Sequence, residues 1–217
     1  MAEFIYEKPF QHGEDVTAYR RIADDHVSVA ECCGRKILQV QPGALTMLAR
    51  QAFIDLNFFM RSSHLRQLAG ILDDPEATDN DRFVAWTMLR NTVISAGGQL
   101  PWCQDTGTAI VMAWKGENVV TAADDALHLS RGIWETYNEK NLRYSQVVPS
   151  TMFEEKNTGS NLPAQIDITA CQGDEYHFLF IAKGGGSANK TFLYQQSKSL
   201  LNEASLEKFV REKIEEL

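Results

Sequence analysis

The chain has 217 residues, 44% of them hydrophobic, which suits one domain or a tight pair with a sizeable core. A net charge of -8 and a pI near 5.1 disfavour nucleic-acid and acidic-membrane partners, which need clustered Lys and Arg. No run reaches the roughly 18 apolar residues of a membrane span, no signal-peptide pattern opens the chain, and the four cysteines lack C-x-x-C spacing. The expectation is a cytoplasmic protein with reduced thiols.

The first part, residues 1–43, reads as an arm and a hairpin: "HVSVAE" and "KILQV" cluster β-branched and alternating residues around the turn "CCGR". Neighbouring side chains point apart on an extended backbone, so Cys32 and Cys33 read as incidental thiols rather than a joint metal site. Residues 44–99 read as helical. Leu45, Leu48, Ala52, Leu56 and Phe59 recur at helical spacing, and Leu65, Leu68, Ile71 and Leu72 continue the pattern in "SSHLRQLAGILDD". There the two serines suit capping, and His64 beside them reads as a surface or capping residue. A third helix follows from about Asp79, with Thr78 or Asp79 as its cap and Gly97 and Gly98 as its stop.

Residues 100–217 change character. "GTAIVMAW" reads as a strand, and "DDALHLSRGIWETYNEKNLR" as a helix with acids at its start, bases at its end and His128 as a satisfied histidine. "AQIDITA" and "EYHFLFIAK", on either side of "CQGD", read as a hairpin with Cys171 at its edge and His177 on one face. "SLEKFVREKIEEL" closes the chain as an amphipathic helix. The fold class expected is α+β, an N-terminal hairpin and helical region packed with a mixed β-sheet and helices.

Two stretches carry chemistry. In "LPWCQDTGTAI", Cys103 sits beside Gln104, Asp105, Thr106 and Thr108, a set able to bind soft iron, move protons and donate to an anion, or else a buried thiol beside a tight turn at Gly107. The five histidines match no cysteine-hydrolase signature, so a nucleophilic Cys103 is poorly supported. In "KGGGSANKT", three glycines free the backbone to aim N–H groups at an anion between Lys183 and Lys190. A nucleotide-binding P-loop would need glycine where Asn189 stands, which leaves a carboxylate as the better anion.

Together "LPWCQDTGTAI", "NLRYSQ", "NTGSNLPAQIDI" and "IAKGGGSANKT" closely resemble, in order and spacing, the N-terminal domain of class I fumarases, the iron-sulfur fumarate hydratases. The resemblance implies a 4Fe-4S cluster held by three cysteines, of which Cys103 matches the first. It implies that Gln104, Asp105, Arg143 and Gly186 contact a dicarboxylate, with Asp105 also catalytic, in an enzyme that adds water to fumarate to give S-malate. An L-tartrate or related dicarboxylate hydro-lyase, or a non-catalytic binding module of the same fold, is the alternative. The other two cluster cysteines lie in a continuation that such proteins have beyond the equivalent of Leu217. The chain is therefore expected to be a fragment, inactive alone and without a stable cluster, whose partners are the C-terminal part of the same enzyme and a second copy in a homodimer.

Overall fold

The computed structural model describes residues 4–6, 18–102, 107–184 and 191–216. The first hairpin forms as expected: β1 (Val27–Cys32) runs antiparallel to β2 (Arg35–Val40) around a two-residue turn, Cys33 and Gly34. Both turn residues have positive φ, 52° and 74°, the pattern of a type I′ turn, whose twist matches that of the strands it joins.

Three helices follow, α1 (Pro42–Phe58), α2 (Ser62–Asp73) and α3 (Asp79–Ser95). Pro42 opens α1, where a missing N–H costs nothing. The buried stripe of α1 is Leu45, Ala49, Phe53 and Asn57, one residue displaced from the expected one. Leu48, Ala52 and Leu56 are only half-buried, and Phe59, just beyond the helix in extended backbone, is exposed. The displacement follows from a neighbour distant in sequence, described below, that selects which face is covered. At α2 the N-cap is Arg61, without a side-chain cap, so the serines lie inside the first turn rather than capping it, while His64 is exposed near Gln67. At α3, Thr78 and Asp81 form a reciprocal capping box that satisfies two backbone donors. The Thr78 hydrogen bonds hold the Asp81 carboxyl below the ordinary carboxylate range.

After β3 (Thr108–Gly116) and β4 (Val119–Thr121), α4 (Asp125–Glu139) starts at the cap Asp124, whose side chain accepts from the Leu127 N–H. The helix stops before Lys140, so the expected basic last turn is absent: Lys140 is the C-cap and Arg143 lies beyond it. Helix α4 is the neighbour that orients α1. A Cβ on Gly132 would stand 2.2 Å from the Thr46 carbonyl oxygen, so only glycine permits this approach. Around that contact Thr46 donates to the His128 carbonyl at 3.0 Å and Thr136 donates to the Arg50 carbonyl at 3.0 Å. His128 is satisfied as expected, its Nδ1 lying 3.3 Å from Thr46 Oγ1. Leu129, Ile133 and Tyr137, spaced four apart on α4, are fully buried with Leu45, Ala49 and Phe53 of α1.

The remaining strands are β5 (Val147–Pro149), paired with β6 (Glu155–Asn157), then β7 (Gln165–Cys171) and β8 (Tyr176–Lys183). The expected β7–β8 hairpin does not exist. β3 lies between them, parallel to β7 and antiparallel to β8, in the order β7-β3-β8. The "CQGD" segment instead passes beneath the end of β3, where the amides of Gly116, Glu117 and Asn118 donate to the carbonyls of Glu175, Cys171 and Gly173. β4 leaves this sheet to pair in parallel with β2. Ala109, Val111 and Ala113 alternate to one buried face of β3, and Phe180 of β8 meets Phe53 of α1 edge-on at 6.0 Å. Helix α5 (Glu203–Glu215) closes the described chain, with Phe209 edge-on to Tyr194 at 5.6 Å. The whole is the α+β arrangement expected, and no described helix is long and apolar enough to cross a membrane.

At the Gly116 end of β3 a polar cluster ties four elements together. Lys115 donates to Asp125 at 2.7 Å and to Thr121 at 2.6 Å, Tyr176 donates to Asp125 at 3.0 Å, and Thr121 also donates to Asp125. Burial pushes the Asp125 carboxyl up, but hydrogen bonds from Lys115, Thr121 and Tyr176 outweigh it and hold the group below its ordinary value. Burial and the adjacent carboxylate raise the Tyr176 phenol well above its ordinary value.

Candidate active site

The opposite end of the same sheet gathers the four motifs. β3 starts at Thr108, directly after "CQDTG", and pairs Thr108 with Lys183, the last residue of β8 before the glycine stretch. β7 starts at Gln165, within "NTGSNLPAQIDI", and pairs with Ile110. Chain direction thus brings the start of β3, the start of β7 and the end of β8 to one edge.

Gly107 is the centre of this edge. Its φ is +49°, and a Cβ there would fall 1.8 Å from the Lys183 carbonyl oxygen and 2.7 Å from Gly184 Cα. The motif glycine is therefore required twice, for its conformation and for the close passage of the β8 backbone. Its N–H donates to Ser145 Oγ at 3.1 Å, and its carbonyl accepts from Asn161 Nδ2 at 2.9 Å. Asn161, fully buried, accepts on Oδ1 from the amides of Ser145 and Gln146, both at 3.0 Å. Gln146 in turn accepts from the Thr108 hydroxyl at 2.8 Å. One buried amide side chain thus fastens "NLRYSQ" to the backbone of "CQDTG". Asn161 has φ +56°, a left-handed conformation that asparagine tolerates better than most residues.

Arg143 stands two residues before Ser145, between the buried Leu142 and the half-buried Tyr144, and is itself exposed. Ser145 Oγ donates to the Arg143 carbonyl at 3.4 Å while accepting from Gly107, so the arginine backbone is tied through one hydroxyl to the start of β3. Lys183 is exposed at the end of β8, its ammonium turned onto the Gly184 carbonyl. Thr158, also in "NTGSNLP", buries a hydroxyl that has no hydrogen-bond partner among the described residues, although its N–H donates to the Gln146 carbonyl at 3.1 Å.

Of the residues expected at the site, Cys103, Gln104, Asp105 and Gly186 lie outside the described residues, and Arg143 falls at the motif edge. Reading the sequence did not single out Ser145, Gln146 or Asn161. Their signal was membership in the motifs "NLRYSQ" and "NTGSNLPAQIDI", not any property of the letters themselves. The described histidines belong elsewhere: His128 to Thr46, His177 to Glu175 at 2.7 Å, His26 to Gln41 at 3.3 Å and His64 to Gln67.

A cluster requires several thiolates around one point. Cys171 pairs with Gly116, at the far end of β3, roughly 25 Å along the strand from Thr108. Cys32 ends β1 and Cys33 follows in the β1–β2 turn, in the hairpin of the separate β1-β2-β4 sheet. Among the described residues no group of three or more His, Cys, Asp and Glu could hold a metal ion. The described residues therefore do not fit an iron-sulfur cluster.

Comparison with known proteins agrees with the motif geometry. A family model described as fumarate hydratase (fumerase) matches residues 46–217. Over 214 residues the chain is 54% identical to the anaerobic class I fumarate hydratase of Escherichia coli K12, and equally to the aerobic enzyme of that strain; the match covers 99% of this chain and 39% of each relative. Fumarate hydratase 2 of Leishmania major is 49% identical over 221 residues, covering 100% of the chain and 39% of the relative. The chain thus spans about two-fifths of the length of the curated relatives it matches. Since the matched region contains all four of the motifs that meet at this sheet edge, the chain belongs to the fumarate hydratase (fumerase) family.

Proposed function

We propose that this chain is the N-terminal part of a fumarate hydratase, in which residues 100–217 supply one wall of the site where water adds reversibly to fumarate to give S-malate. The convergence of four motifs at the Thr108 edge of the β7-β3-β8 sheet carries this reading. Next in sequence to these strand ends stand the segment with a thiol, an amide and a carboxyl group and the glycine stretch, while Arg143 lies two residues before Ser145, which accepts from the Gly107 N–H.

In this reading Arg143 binds a substrate carboxylate through two parallel N–H donors, a fork that a carboxylate matches. The N–H groups around Gly186 receive a carboxylate on the glycine side, and Lys183 adds positive charge nearby. Gln104 orients the dicarboxylate by hydrogen bonding, and Asp105 moves the proton at carbon. The framework that holds these groups is neutral: Ser145, Gln146 and Asn161 fix the backbone without placing a competing anion against the substrate.

The 4Fe-4S cluster belongs, in this reading, to the whole enzyme. Cys103 contributes one ligand, and the others come from the part of the protein outside this chain, along with further substrate contacts. Residues 1–43, 44–99 and 100–217 act as three parts of one N-terminal domain, and the whole enzyme works as a homodimer in the cytoplasm.

The test uses the full-length enzyme purified without oxygen. Arg143→Lys keeps the charge but not the fork, so kcat/KM for malate is expected to fall about 100-fold with iron content unchanged. An unchanged kcat/KM would make Arg143 a surface residue and remove it from the site. Assay of the same enzyme with L-tartrate separates the fumarate reading from that of a related hydro-lyase.

A further inference from the structure

The expectation that Cys32 and Cys33 point apart fails in the structure, and the reason is local. Cys33 is not extended: it occupies the first central position of the type I′ turn at φ +52°, where Asn, Asp or Gly is the ordinary residue. This backbone turns the second thiol back towards the first, and the two sulfur atoms lie 3.9 Å apart. Both residues are exposed, at the tip of a hairpin that belongs to the β1-β2-β4 sheet and not to the β7-β3-β8 sheet.

We propose that Cys32 and Cys33 form a two-thiolate chelate for a thiophilic d10 cation, Zn²⁺ or Cd²⁺. Tetrahedral zinc holds thiolates at about 2.3 Å, which places two of them about 3.8 Å apart, close to the separation in place. A disulfide between the same residues fits badly. Neighbouring Cα atoms are about 3.8 Å apart across a trans peptide, below the roughly 4.4–6.8 Å that disulfides span, and the sulfurs would have to approach to about 2 Å. The turn therefore suits a bridged cation better than a direct sulfur–sulfur bond. Water, or the same pair from a second copy, completes the coordination. On binding, each thiol loses its proton to solvent and no electron moves.

The experiment is a Cd²⁺ titration of the reduced 217-residue chain without oxygen, in a Cys103→Ser, Cys171→Ser background that leaves this pair as the only thiols. Binding is read from the ultraviolet thiolate-to-metal band and confirmed by competition with a chromophoric Zn²⁺ chelator. Saturation is expected at one cation per chain or one per two chains. Changing either Cys32 or Cys33 to Ser should weaken binding about 100-fold or more, because the second thiolate then no longer acts from within the same turn. Single-serine variants that bind as tightly as the pair would overturn the proposal, as would the absence of the charge-transfer band with the pair intact.

Discussion

At its Gly116 end β3 carries Lys115 into a closed set of partners, Asp125, Thr121 and Tyr176. At its Thr108 end the groups that hold the backbone are neutral, Ser145, Gln146 and Asn161, while the cationic residues of the neighbouring motifs, Arg143 and Lys183, stay exposed. A buried charge must be paired to be tolerable, so the far end uses its cation and anion on each other. A site for a dicarboxylate needs cationic charge that water and ligand can reach. Mutations at the two ends should therefore have different consequences: loss of stability alone at the Gly116 end, and loss of function beyond loss of stability at the Thr108 end.

The largest effect is expected at Gly107. Gly107→Ala puts a methyl 1.8 Å from the Lys183 carbonyl oxygen, on a backbone with φ +49°. Neither atom is the free end of a side chain, so β3 and β8 must separate locally. A destabilisation on the order of 4 kcal/mol is expected by urea unfolding of the chain, with activity of the full-length enzyme lost even where it folds. Gly34→Ala provides the contrast. Its φ is +74° but nothing lies within 4 Å of the added Cβ, so only the conformational cost, about 1 kcal/mol, should appear. Equal losses at the two glycines would show that close passage of β8 contributes nothing.

Asn161→Ala comes next. It leaves the amides of Ser145 and Gln146 and the carbonyl of Gly107 without their partner in a buried position, for about 3 kcal/mol. Because Asn161 links "NLRYSQ" to "CQDTG", kcat/KM of the full-length enzyme should fall by more than the unfolded fraction explains. At the other end, Asp125→Asn strands the Lys115 ammonium. Lys115 keeps about a quarter of its side-chain exposure, so water relieves part of the penalty and about 2 kcal/mol is expected. Here kcat/KM per folded molecule should be unchanged. A fall in kcat/KM for Asp125→Asn beyond its unfolded fraction would erase the distinction between the ends.

How far these ends were legible from the letters depends on the range of the interaction. The β1–β2 hairpin, the α3 N-cap at Thr78 and the Gly97–Gly98 stop rest on neighbours within a few residues and are legible in the letters, although the reciprocal partner Asp81 is not singled out there. The β7–β8 hairpin was not, because alternation marks a strand without naming its partner. "CQGD" resembles a hairpin loop equally well whether it joins adjacent strands or passes under a third. The α1 stripe shifted by one residue for a similar reason: Gly132, far along the chain, decides which face of α1 is approached. The proposed roles of Cys103, Asp105 and Arg143 rest on residue type and motif resemblance, whereas Asn161 is an ordinary loop asparagine until the fold places three backbone groups around it. Cys33 is the converse case: extended geometry points neighbouring side chains apart, and the turn conformation instead brings the two sulfurs within 3.9 Å.

The smallest effect, and the one with the clearest signature, is at Tyr176. Tyr176→Phe keeps the ring, which packs against Phe178 with centroids 4.2 Å apart, and removes one hydrogen bond to Asp125, for about 1 kcal/mol near neutral pH. Its pH dependence separates a hydrogen-bonding role from a packing role. Burial and the Asp125 carboxylate raise the folded-state phenol above its unfolded value of about 10. The stability it contributes is therefore fully present below about pH 10 and is lost as pH rises towards the folded-state value. Asp125 runs the other way: its folded-state value is depressed, so its contribution is present above the unfolded value of about 4 and disappears as pH falls through the folded one. The gap between wild type and Tyr176→Phe should thus be level from about pH 5 to 9 and narrow above about pH 10, where unfolded tyrosine ionises and the folded phenol does not. Urea midpoints measured across this range decide the matter. A gap near zero throughout would mean that Tyr176 serves the Gly116 end by its ring alone and that the closure of the cluster rests on Lys115 and Thr121, and a non-zero gap that fails to narrow above about pH 10 would refute the raised phenol.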